Sequence, residues 1–352
     1  MHQTINMQTI ITQSSRLGIL LLAVAISQGI QAQDPKFSQY FTSPATINPS
    51  FIGKGVADVR ISGNARSQWW GSSVSPYNTM TAAVEKRIAS GRTGKDELGV
   101  GLMVLSDGSN NGLLKNNFVG ISAAYNKTFD RKGTTQLGLG ISMHFANRIL
   151  DASKFQFQNQ FGSMGFQRSL PANDFIVVQK NRYVDVNAGI NFSKTTDHWG
   201  YLVGVGYFHA NRPVEGAYNN TNYPISPRTS LQVQYFKSIG ANKKDQLHFT
   251  GIADYQGENT VYTAGAICKV GIVGDETLAS FNVGAFLRVG DAIYPYVALQ
   301  ANRWLIGFTY DIVTSEVKTA YNSVSSLELS FVWQLSSKRH NEPIKISNIL
   351  RY

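Results

Sequence analysis

One cysteine, Cys268, stands in the 352-residue chain, so no disulfide can form within it and none of its stability comes from one. Its strand-like surroundings offer no partnering histidine. A small buried or lipid-facing residue therefore fits better than a nucleophile. Charge is scarce as well: Asp, Glu, Lys and Arg together make up 15% of the chain, against roughly 25% in average soluble proteins. The balance is basic, at +10. No Lys/Arg-rich stripe with interleaved aromatics accompanies it, which sets nucleic acid aside as a partner. Long apolar runs are also missing. Beyond Ser27 nothing approaches the 18 or so consecutive apolar residues of a membrane helix, so helical spans are excluded.

What is present begins with Arg16 and the apolar run LGILLLAVAIS (Leu17 to Ser27), followed by QGIQAQ with small Ala32 before Gln33. The run is too short to cross a bilayer and reads as a secretory signal peptide over 1–32, cut after Ala32.

The rest of the chain repeats one pattern. In QLGLGISMHF (Gln136 to Phe145), Leu137, Leu139, Ile141, Met143 and Phe145 share one parity, and Gly138, Gly140, Ser142 and His144 the other. A period of two is a β-strand with one large apolar face and one small or polar face. LGVGLMVL (Leu98 to Leu105), YVDVNAGINF (Tyr183 to Phe192), WGYLVGVGYFH (Trp199 to His209), WLIGFTYDI (Trp304 to Ile312) and LELSFVWQL (Leu327 to Leu335) alternate likewise. Such runs place fourteen strands near 56–65, 79–88, 98–105, 118–129, 135–148, 183–193, 199–210, 229–238, 247–255, 260–270, 279–290, 292–300, 302–313 and 325–335.

The connections alternate in character. If the chain enters from the periplasm, the even-numbered turns are short and charged, as in DRKGT (Asp130 to Thr134), KTTDH (Lys194 to His198) and ANR (Ala301 to Arg303). The odd-numbered ones include every long connection: Ser106 to Asn117, Ile149 to Arg182, Asn211 to Arg228 and Thr314 to Val324. Short turns at one end and long loops at the other are the habit of an outer-membrane barrel, and a soluble sandwich has no reason to keep that parity. Lipid cannot satisfy backbone donors and acceptors, so the sheet has to close on itself. The aromatics agree: Trp199 and Tyr207 share the outward parity, eight positions apart, which spans roughly 20 Å of membrane normal at a tilt near 40°. The expected fold is an all-β, antiparallel transmembrane barrel of about fourteen strands over 56–335, with a C-terminal periplasmic tail over 336–352. Leu137, Leu139, Ile141 and Met143 then face lipid.

Between the cleavage site and the first strand lies QDPKFSQYFTSPATINPSFIGKG (Gln33 to Gly55). Pro35, Pro44 and Pro49 argue against a regular strand, while Phe37, Tyr40, Phe41 and Phe51 are too apolar for a free tail. The segment is either a linker packed beneath the barrel or a plug, tucked into the lumen or held at the periplasmic mouth.

Here the sequence resembles the PorP/SprF family of Bacteroidetes outer-membrane proteins. The matching residues are Phe37, Gln39 and Tyr40 in QDPKFSQYF, Asn48, Pro49, Phe51 and Gly53 in NPSFIG, and Arg66, Gln68 and Trp69 in RSQWW, which stand in the place of the family's Arg-x-Gln-Trp signature. The tail SSKRHNEPIKISNILRY is a departure, since many barrels end on an aromatic at the last strand itself. The resemblance implies a barrel tied to the type IX secretion system and gliding motility. Some members hold or export a large surface adhesin through its C-terminal domain, and others associate with the periplasmic ring and a peptidoglycan-binding lipoprotein.

Chemistry-bearing constellations are weak. His144, His198, His209, His248 and His340 are scattered without ligand spacing, and no metal or cofactor is expected. The pairs Gly99/Gly101, Gly138/Gly140 and Gly204/Gly206 lack the third glycine and helix of a dinucleotide fingerprint. Ser142 and His144, two apart on one strand, do not make a nucleophile and base without further geometry. Three roles stay open: a non-enzymatic anchor or secretion accessory, which is favoured; a channel for hydrophobic or small solutes; and an outer-membrane hydrolase. Beyond membrane lipid, the expected partner is an adhesin domain or a periplasmic component. The candidate contact residues are Phe155, Phe157, Phe161 and Phe166 in the long loop KFQFQNQFGSMGFQ. Exposed aromatics there suggest a partner surface, or a cap folded inward over the lumen.

Overall fold

The computed structural model describes residues 34–335, apart from 56–57, 71–74, 91–94, 110–111, 174–177, 215–223, 241–244, 272–278 and 317–324. The leader expected over 1–32 and the tail over 336–352 lie outside the described residues. Sixteen strands follow in chain order: β1 (Val59–Trp70), β2 (Tyr77–Ser90), β3 (Asp96–Ser109), β4 (Leu114–Thr128), β5 (Thr135–Asp151), β6 (Phe161–Gly162), β7 (Gly165–Phe166), β8 (Val178–Thr195), β9 (Trp199–Phe208), β10 (Arg228–Ile239), β11 (Asp245–Gln256), β12 (Asn259–Gly271), β13 (Ala279–Arg288), β14 (Ala292–Ala301), β15 (Trp304–Val313) and β16 (Ser325–Leu335). The short pair β6–β7 is a hairpin inside one loop; the other fourteen form a closed barrel in sequence order. Closure comes from antiparallel pairing of β1 with β16, from Val59↔Leu335 to Ser67↔Leu327. No barrel strand is left with an open edge, which is the condition for standing in hydrocarbon.

All fourteen expected strands are present, and several run further than the apolar alternation does. The stretch Ser106 to Asn117 is mostly ladder, with Asp107 opposite Asn116. ARSQWW belongs to β1 rather than following it. Beyond the lipid the outward face no longer has to be apolar, so the pattern fades while backbone pairing continues.

The outward parity is apolar throughout the belt. On β5, Leu139, Ile141, Met143 and Phe145 are 59%, 66%, 47% and 50% exposed, while Gly138, Gly140, Ser142 and His144 are buried. On β8 the outward column runs Val184, Val186, Ala188, Ile190 and Phe192, bounded by Arg182 at one end and Lys194 at the other. From Arg182 to Lys194 the strand climbs roughly 30 Å along the membrane normal at about 3.3 Å per residue and a tilt near 40°. That is the thickness of a bilayer's hydrocarbon core.

The two barrel ends differ. The ends joined by 129–134, 196–198 and 302–303 are tight, and those joined by 152–177, 209–227 and 314–324 are long. By the outer-membrane habit the tight end is periplasmic and the long end external. Asp130 organises one tight turn. Its carboxylate accepts from the backbone of Thr135 at 2.6 Å and from the backbone and hydroxyl of Thr134 at 3.1 and 2.9 Å. These donors, the Thr135 N–H foremost, hold its pKa down at about 2. A depressed carboxylate stabilises the fold above its unfolded value near 3.9, and the contribution fades as pH falls towards 2. A carboxyl-carbon NMR titration should place Asp130 below 3; a midpoint near 4 would mean that the turn is not formed in solution.

Candidate functional site

The barrel interior is occupied by its own N-terminal segment. Every residue from Phe37 to Lys54 is buried except Thr46, which is half-buried. Three prolines prevent a regular strand here, and the chain instead winds through short 3-10 turns at Tyr40–Thr42, Pro44–Thr46 and Pro49–Phe51. Asn48 caps the third turn, its Oδ1 accepting from Ser50 N at 2.9 Å. The segment descends from the long-loop end, where Lys36 meets Asp254 at 3.5 Å. At the tight end Gly53 N donates to Glu85 at 2.9 Å, and Lys54 Nζ donates to Gln136 at 2.8 Å and Asn126 at 3.2 Å.

The wall that receives it has two halves. On β9 to β16 the inward residues Leu202, Ile252, Ile267, Phe286, Tyr294, Tyr296, Leu305 and Val332 form a hydrophobic core with Tyr40, Phe41, Ile47 and Phe51. Phe41 stacks on Phe286 at 5.4 Å and meets Tyr296 edge-on at 5.2 Å. Burial of a Phe-sized side chain is worth about 1.5–3 kcal/mol, so three or four such residues hold the segment firmly. On β3, β5, β8 and β9 the wall is cut away by glycine. A Cβ on Gly99 would overlap the Ile52 carbonyl, one on Gly140 the Pro49–Ser50 peptide, and one on Gly189 the Asn48 side chain. The Gly-x-Gly repeats are the groove in which the plug backbone lies.

Polar groups fix its register. Glu328 on β16 accepts from Ser38 N at 2.6 Å and Gln39 N at 3.0 Å. Asp311 on β15 accepts from Ser38 Oγ at 2.8 Å, Arg66 at 2.9 Å and Arg288 at 3.2 Å. Arg66 also donates to the Lys36 carbonyl. Ser330 Oγ donates to Gln39 Oε1 at 2.6 Å, and Asn64 on β1 donates to Thr42 Oγ1 at 2.8 Å. Lower down, Asn48 donates to Gln232 at 2.9 Å, and Gln232 donates to the Ile47 carbonyl at 2.9 Å. The first group of contacts ties together β1, β15 and β16, so the plug clasps the seam where the barrel closes.

Of the ten motif residues, seven (Phe37, Gln39, Tyr40, Asn48, Pro49, Phe51 and Gly53) lie in the plug, and Arg66 and Gln68 face it from β1. Gln68, with its amide oxygen turned to Arg66, accepts from both terminal nitrogens at 3.0 Å. Trp69 stands apart: at a bulge in β1 with φ 59° it turns outward and meets Tyr77 edge-on at 6.3 Å. Sequence reasoning missed Glu328, Asp311, Arg288, Glu85 and Gln232. Their signal was there, a charged or amide side chain on the inward parity of a strand whose other face is apolar.

The family model for the type IX secretion system membrane protein PorP/SprF matches residues 30–333. The chain belongs to the PorP/SprF family. No curated protein matches it in sequence. Among solved structures this PorP/SprF chain is similar to the toluene transporter TodX of Pseudomonas putida, with 8% identity, a TM-score of 0.47, and coverage of 87% of this chain and 96% of that one. It is similar to a FadL homologue of Pseudomonas aeruginosa, with 10% identity, TM-score 0.43, and coverage of 83% and 94%. It is also similar to BamA of Haemophilus ducreyi lacking POTRA domains 1–3, with 9% identity, TM-score 0.42, and coverage of 80% and 71%. These likenesses concern the outer-membrane barrel fold alone.

The loop phenylalanines of this PorP/SprF chain form two separate pairs, not one cluster. Phe155 and Phe157 meet at 6.0 Å, and Phe161 and Phe166 at 5.6 Å across the β6–β7 hairpin. Phe161 is 55% exposed and Met164 at the hairpin tip 87%. Phe155 is exposed as well, while Phe157 and Phe166 are half-buried. On the inner wall, Asp185 lies 2.8 Å from His209 Nδ1 and 3.6 Å from His144 Nδ1, while Ser142 Oγ accepts from Asn187 at 3.1 Å. No hydrogen bond joins Ser142 to His144, and no group of three or more His, Cys, Asp or Glu is placed to hold a metal, among the described residues.

Proposed function

We propose that this chain is a non-enzymatic, plugged component of the type IX secretion machinery that binds a protein partner instead of passing a solute. The partner is a secreted surface adhesin, held through its C-terminal domain, or a periplasmic ring component. The reading includes export by the 1–32 leader and a partner surface at Phe155, Phe157, Phe161 and Phe166. One observation carries it: the lumen is filled along its length by residues 37–54, with backbone seated against backbone at Gly99 and Gly140. A pore needs that volume for its substrate. Exposed aromatics on an ordered external loop give the partner somewhere to bind.

The test pairs a deletion strain with the purified protein. Deletion should abolish surface display of one adhesin while leaving solute uptake unchanged, and the wild-type chain in a planar bilayer should show no steady conductance. A clear open-channel current would replace this reading with that of a solute channel.

A further inference from the structure

The outward face of the barrel carries its cations very differently at its two ends. At the tight end Lys86, Lys127, Lys194 and Lys237 are spread around the rim, on β2, β4, β8 and β10. At the long-loop end the outward strand positions, among the described residues, carry them only on β4 and β8. Lys115 on β4 and Lys180 on β8 both stand opposite Ile149 of β5, so they lie two strands apart in one row, about 10 Å at the usual strand spacing. Arg182 shares the row of Asn117 and Asn147, one outward position nearer the membrane. Lys115, Lys180 and Arg182 are all exposed. The loop adds a fourth cation: the ammonium groups of Lys115 and Lys154 lie 3.2 and 3.0 Å from the point where a Cβ on Gly112 would stand.

Among the described residues one carboxylate is close by, near enough to Lys154 and Lys115 for both to favour its charged form. Asp151 ends β5 on the same face, and its Oδ1 is engaged by the hydroxyl of Ser153 at 2.5 Å and its backbone at 3.2 Å. Among the described residues neither Lys180 nor Arg182 is in an ion pair. The remaining strands end at this rim on neutral outward residues, including Ser67, Asn78, Ser106, Tyr207, Thr229 and Tyr255. A general surface charge would not be confined to β4, β5 and β8.

The height of the patch decides the ligand. It continues directly upward from the lipid-facing columns Val119–Ile121, Met143–Phe145 and Val184–Val186, roughly one bilayer thickness above Lys194. We infer that Lys115, Lys154, Lys180 and Arg182 bind the phosphate of a phosphorylated glycolipid in the outer leaflet, whose acyl chains lie along the apolar columns below. Ammonium and guanidinium groups grip phosphate oxygens by charge-assisted hydrogen bonds, the guanidinium with two parallel donors. A protein ligand approaching through water would meet the loops before this side wall.

The experiment uses the full chain in detergent and native mass spectrometry, with a phosphorylated lipid A-type glycolipid and the same lipid after phosphate removal. The wild-type chain should retain the phosphorylated lipid and not the dephosphorylated one. The triple variant K115Q/K180Q/R182Q should lose at least tenfold in retention, while K86Q/K237Q at the opposite rim should bind as wild type. Gel mobility before and after heating shows that each variant remains a folded barrel, which these exposed substitutions should permit. Equal retention by the triple variant, or indifference to the phosphate, would overturn the inference. So would capture of soluble polyglutamate by the patch in place of the glycolipid, which would make it a site for an acidic protein.

Discussion

Gly140→Val should unseat the plug and turn a closed barrel into a conducting one. Gly140 sits on the inward face of β5, where a Cβ would occupy the space of the Pro49–Ser50 peptide. The obstacle is backbone on both sides, so no side chain can swing away to make room. Overpacking a well-fitted interior costs typically 1–3 kcal/mol, and more where nothing can yield. The lipid-facing surface and the interstrand hydrogen bonds are untouched, so the barrel should still insert and the strain should fall on the plug. We expect two readouts: a stepwise current in planar bilayers where the wild type should show none, and proteolysis between Lys36 and Lys54, which is buried in the parent. Gly251→Val is the control, because a Cβ there meets only Thr263 O at 3.6 Å and Ala264 at 4.0 Å. A G140V barrel that stays closed and protease-resistant would show that the segment is not seated in the groove described.

Leu139→Arg, one residue away on the other face, should fail differently. Leu139 is 59% exposed in the apolar belt between Leu137 and Ile141. An arginine on a lipid-facing barrel position costs about 2–4 kcal/mol near the midplane and little near the interfaces. Assembly should be impaired while the plug contacts are unchanged, as read from heat-modifiable migration and from the urea midpoint of folding into vesicles. Insertion at wild-type levels would contradict the assignment of this face to lipid. The two neighbouring substitutions thus separate the barrel's inside from its outside by distinct measurements.

The strands were legible because each crosses the same solvent boundary. Leu98 to Val104 or Trp304 to Ile312 alternates at period two, and lipid on one side and a crowded interior on the other enforce that alternation residue by residue. The connections were legible where they were short, as at Asp130 to Thr134. At Ser106 to Asn117 they were misread, since a strand in water need not keep an apolar face and its pairing leaves no hydropathy signal. Phe37 to Phe51 announced itself as buried by composition, but the sequence left its place open between the underside of the barrel, the lumen and the periplasmic mouth.

That choice belonged to tertiary structure. Whether Gly140 is merely a small inward residue or the seat of a peptide depends on Pro49 and Ser50, distant in sequence and brought to it only by closure of β1 on β16. The same holds for Glu328 and Asp311, whose donors Ser38, Gln39 and Arg66 come from the far end of the chain, and for Lys115 and Lys180, which become neighbours only through their shared register with Ile149. By itself the sequence determined the number of strands, the face each turns to lipid and the family, all of which rest on local patterns. The filled lumen and the gathered cations rest on contacts between remote segments, which no local pattern encodes.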